Sequence, residues 1–150
     1  MEPTRKVDHA ALRVNQAFII GLLILAFVLD SLPLVILVGS VMLVGTAFPK
    51  FGLFKAIYLY GLKPLKLVNP DVIVDNPEPH RFAQGFGGVV LVVAAAAFLT
   101  SLSALGWALV WLVIILAALN LFLGFCAGCF LYYQLHRLGV PGFKVGPVTR

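Results

Sequence analysis

The fold of this chain is decided by the run WALVWLVIILAALNLFLGFCAGCFLYY, residues 107–133. The run contains no charged residue, and it is longer than the roughly 20 helical residues that cross a hydrocarbon core. Such a run predicts a membrane-spanning helix, because the buried strands of soluble proteins are much shorter. It also carries the only two cysteines of the chain, Cys126 and Cys129, near its carboxyl end.

The rest of the composition extends the membrane prediction to the whole chain. Hydrophobic residues make up 61% of the 150 residues and charged residues only 11%, which is far outside the range of soluble globular domains. Residues 14–29, 32–48 and 82–103 form three more apolar runs, and short connections join the runs in pairs. We therefore predict an all-α fold, a single membrane domain over residues 1–150. It is a bundle of four transmembrane helices arranged as two hairpins, with the first run as an uncleaved anchor.

The positive charges predict the orientation of this bundle. All eleven Lys and Arg residues lie before the first run, in the central loop 49–81, or after residue 133, and neither short connection carries one. Under the positive-inside rule, this pattern predicts an N-in/C-in topology with the central loop in the cytoplasm. The net charge of +5 then reflects topology and contact with an anionic inner leaflet, so nucleic acid is not an expected partner.

The central loop is amphipathic in its first half. Aromatic and aliphatic residues alternate there with lysines, whose ammonium groups can reach the lipid head groups. This pattern predicts an interfacial helix on the anionic inner leaflet. In the second half of the loop, Asp75 or Asn76 can cap the following helix, and Pro77 suits its first turn. The amphipathic half contains Lys50, Phe51, Leu53, Phe54, Lys55, Ile57, Tyr58, Tyr60, Leu62, Lys63 and Lys66.

Polar residues collect at the predicted depth of the two cysteines. If residues 107–133 form one helix, the cysteines share one of its faces near the cytoplasmic end. The first and third helices begin at the same level with amide, imidazole and guanidinium side chains. Polar groups within a membrane face the protein interior, because lipid offers them no hydrogen bonds. We therefore expect a cytoplasm-facing pocket formed by Cys126, Cys129, His80, Arg81, Gln84, Asn15 and Gln16.

In the first of three interpretations of the cysteines, the two thiols react. They would exchange a disulfide with another thiol or carry a sulfur species. This chemistry needs a thiolate, and the cations of His80, Arg81 and Arg137 would lower the pKa of a nearby thiol. A position near the carboxyl end of a helix opposes it, because the helix dipole is negative there. A bridge also needs Cβ atoms about 3.5–4.5 Å apart, for which Gly128 could supply a bend.

Two other interpretations remain open. The pair could bind a metal ion together with one or two of the three histidines of the chain, although a single CxxC supplies only half of a tetrahedral site. Alternatively, the cysteines pack as small apolar residues, since the spacing of Gly124 and Gly128 permits close helix approach without any chemistry. Asn120 lies in the middle of the run, where we expect its amide to hydrogen-bond to another helix.

Three short motifs carry a family resemblance. Residues 14–18 read VNQAF, residues 80–84 read HRFAQ, and residues 125–129 read FCAGC. In this order they resemble a small bacterial membrane family known as domain of unknown function 4395, and the likeness extends from about Asp8 to Tyr133. The resemblance implies that the HRFAQ and CxGC elements define the family and that the chain is a multi-pass protein of the bacterial cytoplasmic (inner) membrane. It implies no catalytic role for any residue.

The pattern as a whole favours a membrane protein with a cytoplasm-facing thiol pair. In this hypothesis Cys126 and Cys129 exchange disulfides or carry sulfur, while His80 and Arg81 tune the thiolate. Three amides, those of Gln84, Asn15 and Gln16, would hold a polar ligand. The expected partner is a cytosolic thiol or sulfur-transfer protein, and no cofactor motif is present. The alternative is a non-catalytic structural or accessory subunit of a larger membrane complex, with the cysteines as packing residues.

Overall fold

The structure is a computed structural model that describes residues 6–48, 56–66, 69 and 71–143, and it is mostly helical. A pair of short strands and a π-helical turn accompany five α-helices in the described ranges. The elements, in chain order, are β1 (Lys6–Asp8), α1 (His9–Val28), α2 (Leu32–Ala47), the π-helical turn (Tyr58–Leu62), β2 (Val72–Val74), α3 (Pro77–Leu99), α4 (Ser103–Leu123) and α5 (Ala127–Arg137).

Three of these helices, α1, α3 and α4, are long and apolar enough to cross a membrane, with mean hydropathies of 2.0, 2.1 and 2.4. Their outward surfaces carry large apolar side chains, as expected of a protein surrounded by lipid. The predicted membrane class is confirmed at this level. The helix α2 is equally apolar but has only 16 residues, or about 24 Å of helix.

The two short connections reverse the chain within three residues. Asp30 (φ 47°) and Ser101 (φ 64°) both adopt the left-handed conformation that ends a helix sharply. After Asp30, the N–H of Ser31 donates a hydrogen bond back to the carbonyl of Ala26 at 2.8 Å. The helices α1 and α2 therefore pack as one hairpin, and α3 and α4 pack as a second.

The core of the bundle depends on close contact between α2 and α3, which is the most extensive helix pairing. A Cβ atom at Gly88 would lie 2.9 Å from the Leu43 side chain, and one at Gly39 would lie 3.1 Å from the Cβ of Leu91. Small residues therefore allow these two backbones to approach. The buried side chains around this contact include Ile19, Leu23, Val35, Val38, Met42, Leu91, Ala94 and Val110.

A small antiparallel pair, β1 with β2, fastens the start of α1 to the segment that precedes α3. Asp8 stabilises this junction, because its Oδ1 accepts the N–H groups of Ala10 and Ala11 and so caps α1. The same oxygen accepts the N–H of Asp71 at 3.2 Å, and Oδ2 accepts the Tyr58 hydroxyl at 2.9 Å. These strands are a departure from the purely helical prediction, and they position two side chains of the site described below.

The described part of the amphipathic segment differs from a helix that lies flat on lipid. Tyr58 is completely buried against the start of α1. Burial and the hydrogen bond to the Asp8 carboxylate both raise the pKa of its hydroxyl. Tyr60 and Lys63 are exposed. Lys50, Phe51, Leu53, Phe54 and Lys55 lie outside the described residues, so the interfacial helix stays a prediction.

The predicted single helix over residues 107–133 is wrong, because the chain forms two helices there. The first, α4, ends at Leu123, and Gly124 follows with a φ of 66°. A left-handed residue cannot continue a right-handed helix, and glycine adopts this conformation without steric cost. The chain then turns, and α5 begins after Cys126, which occupies its N-cap position. The helix break lies within the family-like motif itself.

Candidate functional site

The two cysteines lie together at the start of α5. Their Sγ atoms are at disulfide distance, and their Cα atoms are 5.1 Å apart. Cys126 has extended backbone geometry and caps the helix, since its Sγ accepts the N–H of Cys129 at 3.2 Å. The bend that we expected from Gly128 comes instead from Gly124, before the pair.

This geometry corrects the expected electrostatics of the thiol pair. The sequence placed the cysteines near a helix carboxyl end, where the dipole disfavours a thiolate. In the structure they occupy a helix amino end, where free N–H groups and the positive end of the dipole favour a thiolate. Positions of this kind lower the pKa of a cysteine in its reduced form. The main physical objection to a reactive pair is thereby removed.

A close helix contact brings His80 to Cys129. A Cβ atom at Gly128 would collide with the Cβ of Ala83, so the absence of a side chain lets α5 lie directly on the first turns of α3. In this position the Nδ1 of His80 lies 3.5 Å from the Sγ of Cys129. Tyr132 reinforces the contact by donating its hydroxyl to the Glu78 carboxylate at 3.1 Å.

The carboxylate of Asp75 lies behind His80, so that Asp75, His80 and Cys129 form a line. Its Oδ2 lies 3.1 Å from the Nε2 of His80, and its Oδ1 accepts the N–H of Asn76 at 2.8 Å. Partial burial alone would raise the pKa of this carboxyl, but the hydrogen bonds from His80 and Asn76, with His9 nearby, hold the pKa below its ordinary value. An ionised Asp75 favours the proton on Nε2 of His80, which leaves a lone pair on Nδ1 facing Cys129.

No local pattern in the sequence singles out Asp75 for this role. Asp75 or Asn76 was expected to cap the third helix, and Asn76 does occupy the N-cap position, without a side-chain capping bond. The available signal was the spacing of Asp75 and His80 across a helix start, but such a spacing is common. Pairing of β1 with β2 fixes the segment just before Asp75, and this long-range contact is invisible in a local pattern.

His9 extends the cluster on the side away from the cysteines. Its Nε2 lies 3.3 Å from the Oδ2 of Asp75, outside hydrogen-bond geometry. Its ring contacts the ring of His80 edge to face, with the two ring centroids 5.8 Å apart. Two overlapping sets could hold a metal ion: His80 with both cysteines, and His9 with Asp75 and His80. His136 belongs to neither set, and its Nδ1 lies 2.7 Å from the carbonyl of Phe143.

Two of the predicted site residues hold the helices together. Arg81 is exposed, and its Nη2 donates to the carbonyl of Thr46 at 2.7 Å. Gln84 donates through Nε2 to the carbonyl of Met42 at 3.3 Å. The Thr46 carbonyl lies in the last turn of α2, where the helix itself offers no N–H donor. The Met42 carbonyl also accepts the Thr46 hydroxyl at 2.9 Å, so Gln84 adds a further bond there. Arg81 is thus engaged with α2, while His80 beside it faces the cysteines.

A cavity of about 190 Å³ lies on the other side of Cys126. Its wall is mostly apolar, with three amides, those of Gln16, Gln84 and Asn120. The side chains of Gln16 and Asn120 have no hydrogen-bond partner among the residues that the structure describes, so the bond expected from Asn120 to another helix is not formed there. Asn15 is buried on α1 and lies outside the cavity lining.

Comparison with known proteins identifies one family. Residues 7–137 match the family described as Domain of unknown function (DUF4395), which is most of the chain. The matched range begins in β1 and ends with α5, so it contains the cysteines, His80, Asp75 and the cavity. No curated protein and no solved structure matches the chain.

Proposed function

The chain belongs to the DUF4395 family, and we propose that it carries out thiol–disulfide exchange through Cys126 and Cys129. One observation carries this proposal: the cysteines at the amino end of α5 are adjoined by the line Asp75, His80 and Cys129. A base that is oriented by a carboxylate and placed beside a thiol is the arrangement that activates cysteine nucleophiles. Packing alone requires neither the carboxylate nor the histidine.

The two sulfurs have different parts in this exchange. Cys126 is the less buried of the pair, and its Sγ already accepts a helix N–H, so it is the sulfur that a substrate thiolate attacks. The attack forms a mixed disulfide and releases Cys129 as a thiolate, which takes a proton through His80. A second substrate thiolate then displaces Cys126. The net reaction converts one protein disulfide and two thiols into one protein dithiol and one substrate disulfide.

We place this site on the cytoplasmic side of a bacterial inner membrane. Exposed cations such as Lys6, Arg13, Lys63 and Arg81 belong to the end of the bundle that holds the cysteines, while the turns at Asp30 and Ser101 carry none. The positive-inside rule then favours an N-in/C-in topology, with α2 as a fourth, short span that local thinning of the bilayer accommodates. The basic segment after α2 would contact the anionic inner leaflet.

The substrate class that fits this placement is a cytosolic protein thiol. A sulfur-transfer protein is the related case. The Cys126 thiolate of the reduced pair attacks the outer sulfur of a donor persulfide, the donor leaves as a thiolate, and Cys126 passes the sulfur to a second thiolate in the same way. In both reactions Cys126 is the sulfur that forms the covalent intermediate, and His80 is the proton-transfer group beside the pair. They differ in the intermediate on Cys126, which is a mixed disulfide with the substrate in the first reaction and a persulfide in the second, so the added mass distinguishes them.

The test is to trap the intermediate on purified, full-length protein. In Cys129→Ser, the resolving thiol is lost, so we expect Cys126 to retain glutathione as a mixed disulfide, seen as an added mass. Cys126→Ser should retain far less, because Cys129 is buried. If neither variant is modified and the wild-type pair stays inert in glutathione redox buffers, the cysteines are packing residues. A stoichiometric partner on native purification would then support the accessory-subunit alternative.

A further inference from the structure

We propose that the cavity beside Cys126 binds the ring of a membrane quinone, which oxidises the reduced cysteine pair. This inference rests on the proposed thiol–disulfide exchange and names its electron acceptor. A pair that returns disulfides to thiol substrates in a reducing compartment needs an oxidant, because the cytosol keeps thiols reduced. Lipid-soluble quinones are oxidants that reside in the membrane itself.

The position of the cavity suits a ligand that arrives through the bilayer. All five α-helices contribute to its wall, and most lining residues belong to α1, α3 and α4, the three helices that could cross a membrane. Apolar side chains such as Ile19, Val90, Val113 and Leu116 form most of the surface. A space of about 190 Å³ with such a lining fits a single substituted ring, with an isoprenoid tail left to the lipid.

The amides point to a ring that carries oxygen atoms. Gln16 and Asn120 line the cavity without a hydrogen-bond partner among the described residues, and an unpaired polar group in an apolar setting is costly. A quinone carbonyl can accept from an amide N–H, and the hydroxyl of the reduced ring can donate to an amide oxygen. An amide therefore fits both redox states, whereas a purely apolar ligand would leave Gln16 and Asn120 unsatisfied.

The disulfide separates two environments. Cys126 lines the cavity, whereas Cys129 faces His80 and, behind it, Asp75. One sulfur therefore meets the apolar ligand while the other meets the group that takes a proton. Exchange with a substrate thiol and oxidation by a quinone can alternate at Cys126, because each step leaves the pair in the state that the other consumes.

The oxidation balances as a two-electron step. The Cys126 thiolate adds to a ring carbon, forming a sulfur–carbon bond. Cys129 loses its proton to His80 and attacks the sulfur of Cys126, so the sulfur–sulfur bond forms and the sulfur–carbon bond breaks. The electron pair remains on the ring, which takes up the two protons of the former thiols. One dithiol and one quinone thus become one disulfide and one quinol.

The experiment compares two oxidants on the same reduced protein in liposomes without oxygen. Decylubiquinone and glutathione disulfide are each added, the thiols are counted by maleimide mass shift, and quinol is measured by absorbance. We expect wild type to react with both and to form one quinol per cysteine pair. Asn120→Leu should lower the ratio of quinone-driven to glutathione-driven oxidation about tenfold, the scale of one lost hydrogen bond to a buried ligand group.

Gln134→Leu is the matched control, because this α5 amide does not line the cavity, and it should keep the wild-type ratio. Asn120→Ala replaces the leucine variant if that variant does not fold. Oxidation by glutathione disulfide without quinol formation overturns the quinone proposal and leaves thiol exchange standing. Inertness to both oxidants overturns thiol exchange as well. An unchanged ratio in both Asn120 variants, with quinol still formed, overturns the cavity as the quinone site.

Discussion

At the scale of single residues, the site depends on a carboxylate that works through a histidine. Asp75 touches neither sulfur, yet its carboxylate holds Nε2 of His80 and favours the proton there, which leaves a lone pair on the Nδ1 that faces Cys129. Asp75 is a positioning residue in this sense. The backbone N–H of Asn76 holds its other oxygen, so the carboxylate has little freedom to turn away.

The ionisation of Asp75 should be visible in the acid stability of the protein. Its pKa is lower in the folded chain than in the unfolded chain, so it stabilises the fold fully above its ordinary pKa of about 3.9. This contribution is lost as the pH falls through the lower, folded pKa. We expect wild type to melt above Asp75→Asn at pH 6, and the difference to shrink below about pH 4.

Thermal melting in detergent across this pH range measures the effect. Asp30→Asn is the control, because Asp30 is exposed at the turn between α1 and α2, far along the chain from the cluster. A melting difference for Asp75→Asn that stays constant at every pH would contradict the ion-pair role. The same variant should slow the release of glutathione from Cys126 about tenfold, since an unoriented base loses part of the 10²–10⁴-fold that general bases contribute.

At the scale of the elements, two glycines shape the start of α5. Gly124 ends α4 through its positive φ, and Gly128 brings α5 against α3. The sequence indicated close packing at Gly128, and this contact exists. It could not indicate the break, because an isolated glycine within an apolar run is common in continuous spanning helices. The left-handed turn is stabilised by the packing of α5 on α3, which is a contact between distant parts of the chain.

A methyl group at Gly128 should therefore be costly. Gly128→Ala places a Cβ where Ala83 already lies, and overpacking of this kind destabilises by about 1–3 kcal/mol. The variant should also move Cys129 away from His80 and lower thiol reactivity. Gly21→Ala is the control, since nothing lies within 4 Å of a Cβ there. Helix propensity predicts a gain of up to about 1 kcal/mol for that control. Equal melting temperatures for the two variants would contradict the close contact.

At the scale of the whole molecule, hydropathy was enough to predict the features that depend on local sequence alone. The three long apolar helices and the two tight turns follow from composition and run length. The pocket was predicted from depth alone, and the structure brings Cys126, Cys129 and His80 together. It engages Arg81 with α2 instead and leaves Asn15 outside the cavity. Depth orders residues along the membrane normal, but only helix rotation and packing decide which of them meet.

The orientation of the whole bundle gives the last prediction. Single cysteines are introduced at Lys63, beside the π-helical turn, and at Ser103, at the start of α4, in a background that lacks both native cysteines. Both positions are exposed. The π-helical turn belongs to the end that holds the site, since Tyr58 bonds to Asp8 there. An impermeant maleimide should label Lys63→Cys only in inside-out vesicles and Ser103→Cys only in right-side-out vesicles, because cationic loops stay in the cytoplasm. The reverse pattern would place the thiol pair outside the cell, and labelling of both positions from one side would contradict a membrane crossing by α3, which lies between them.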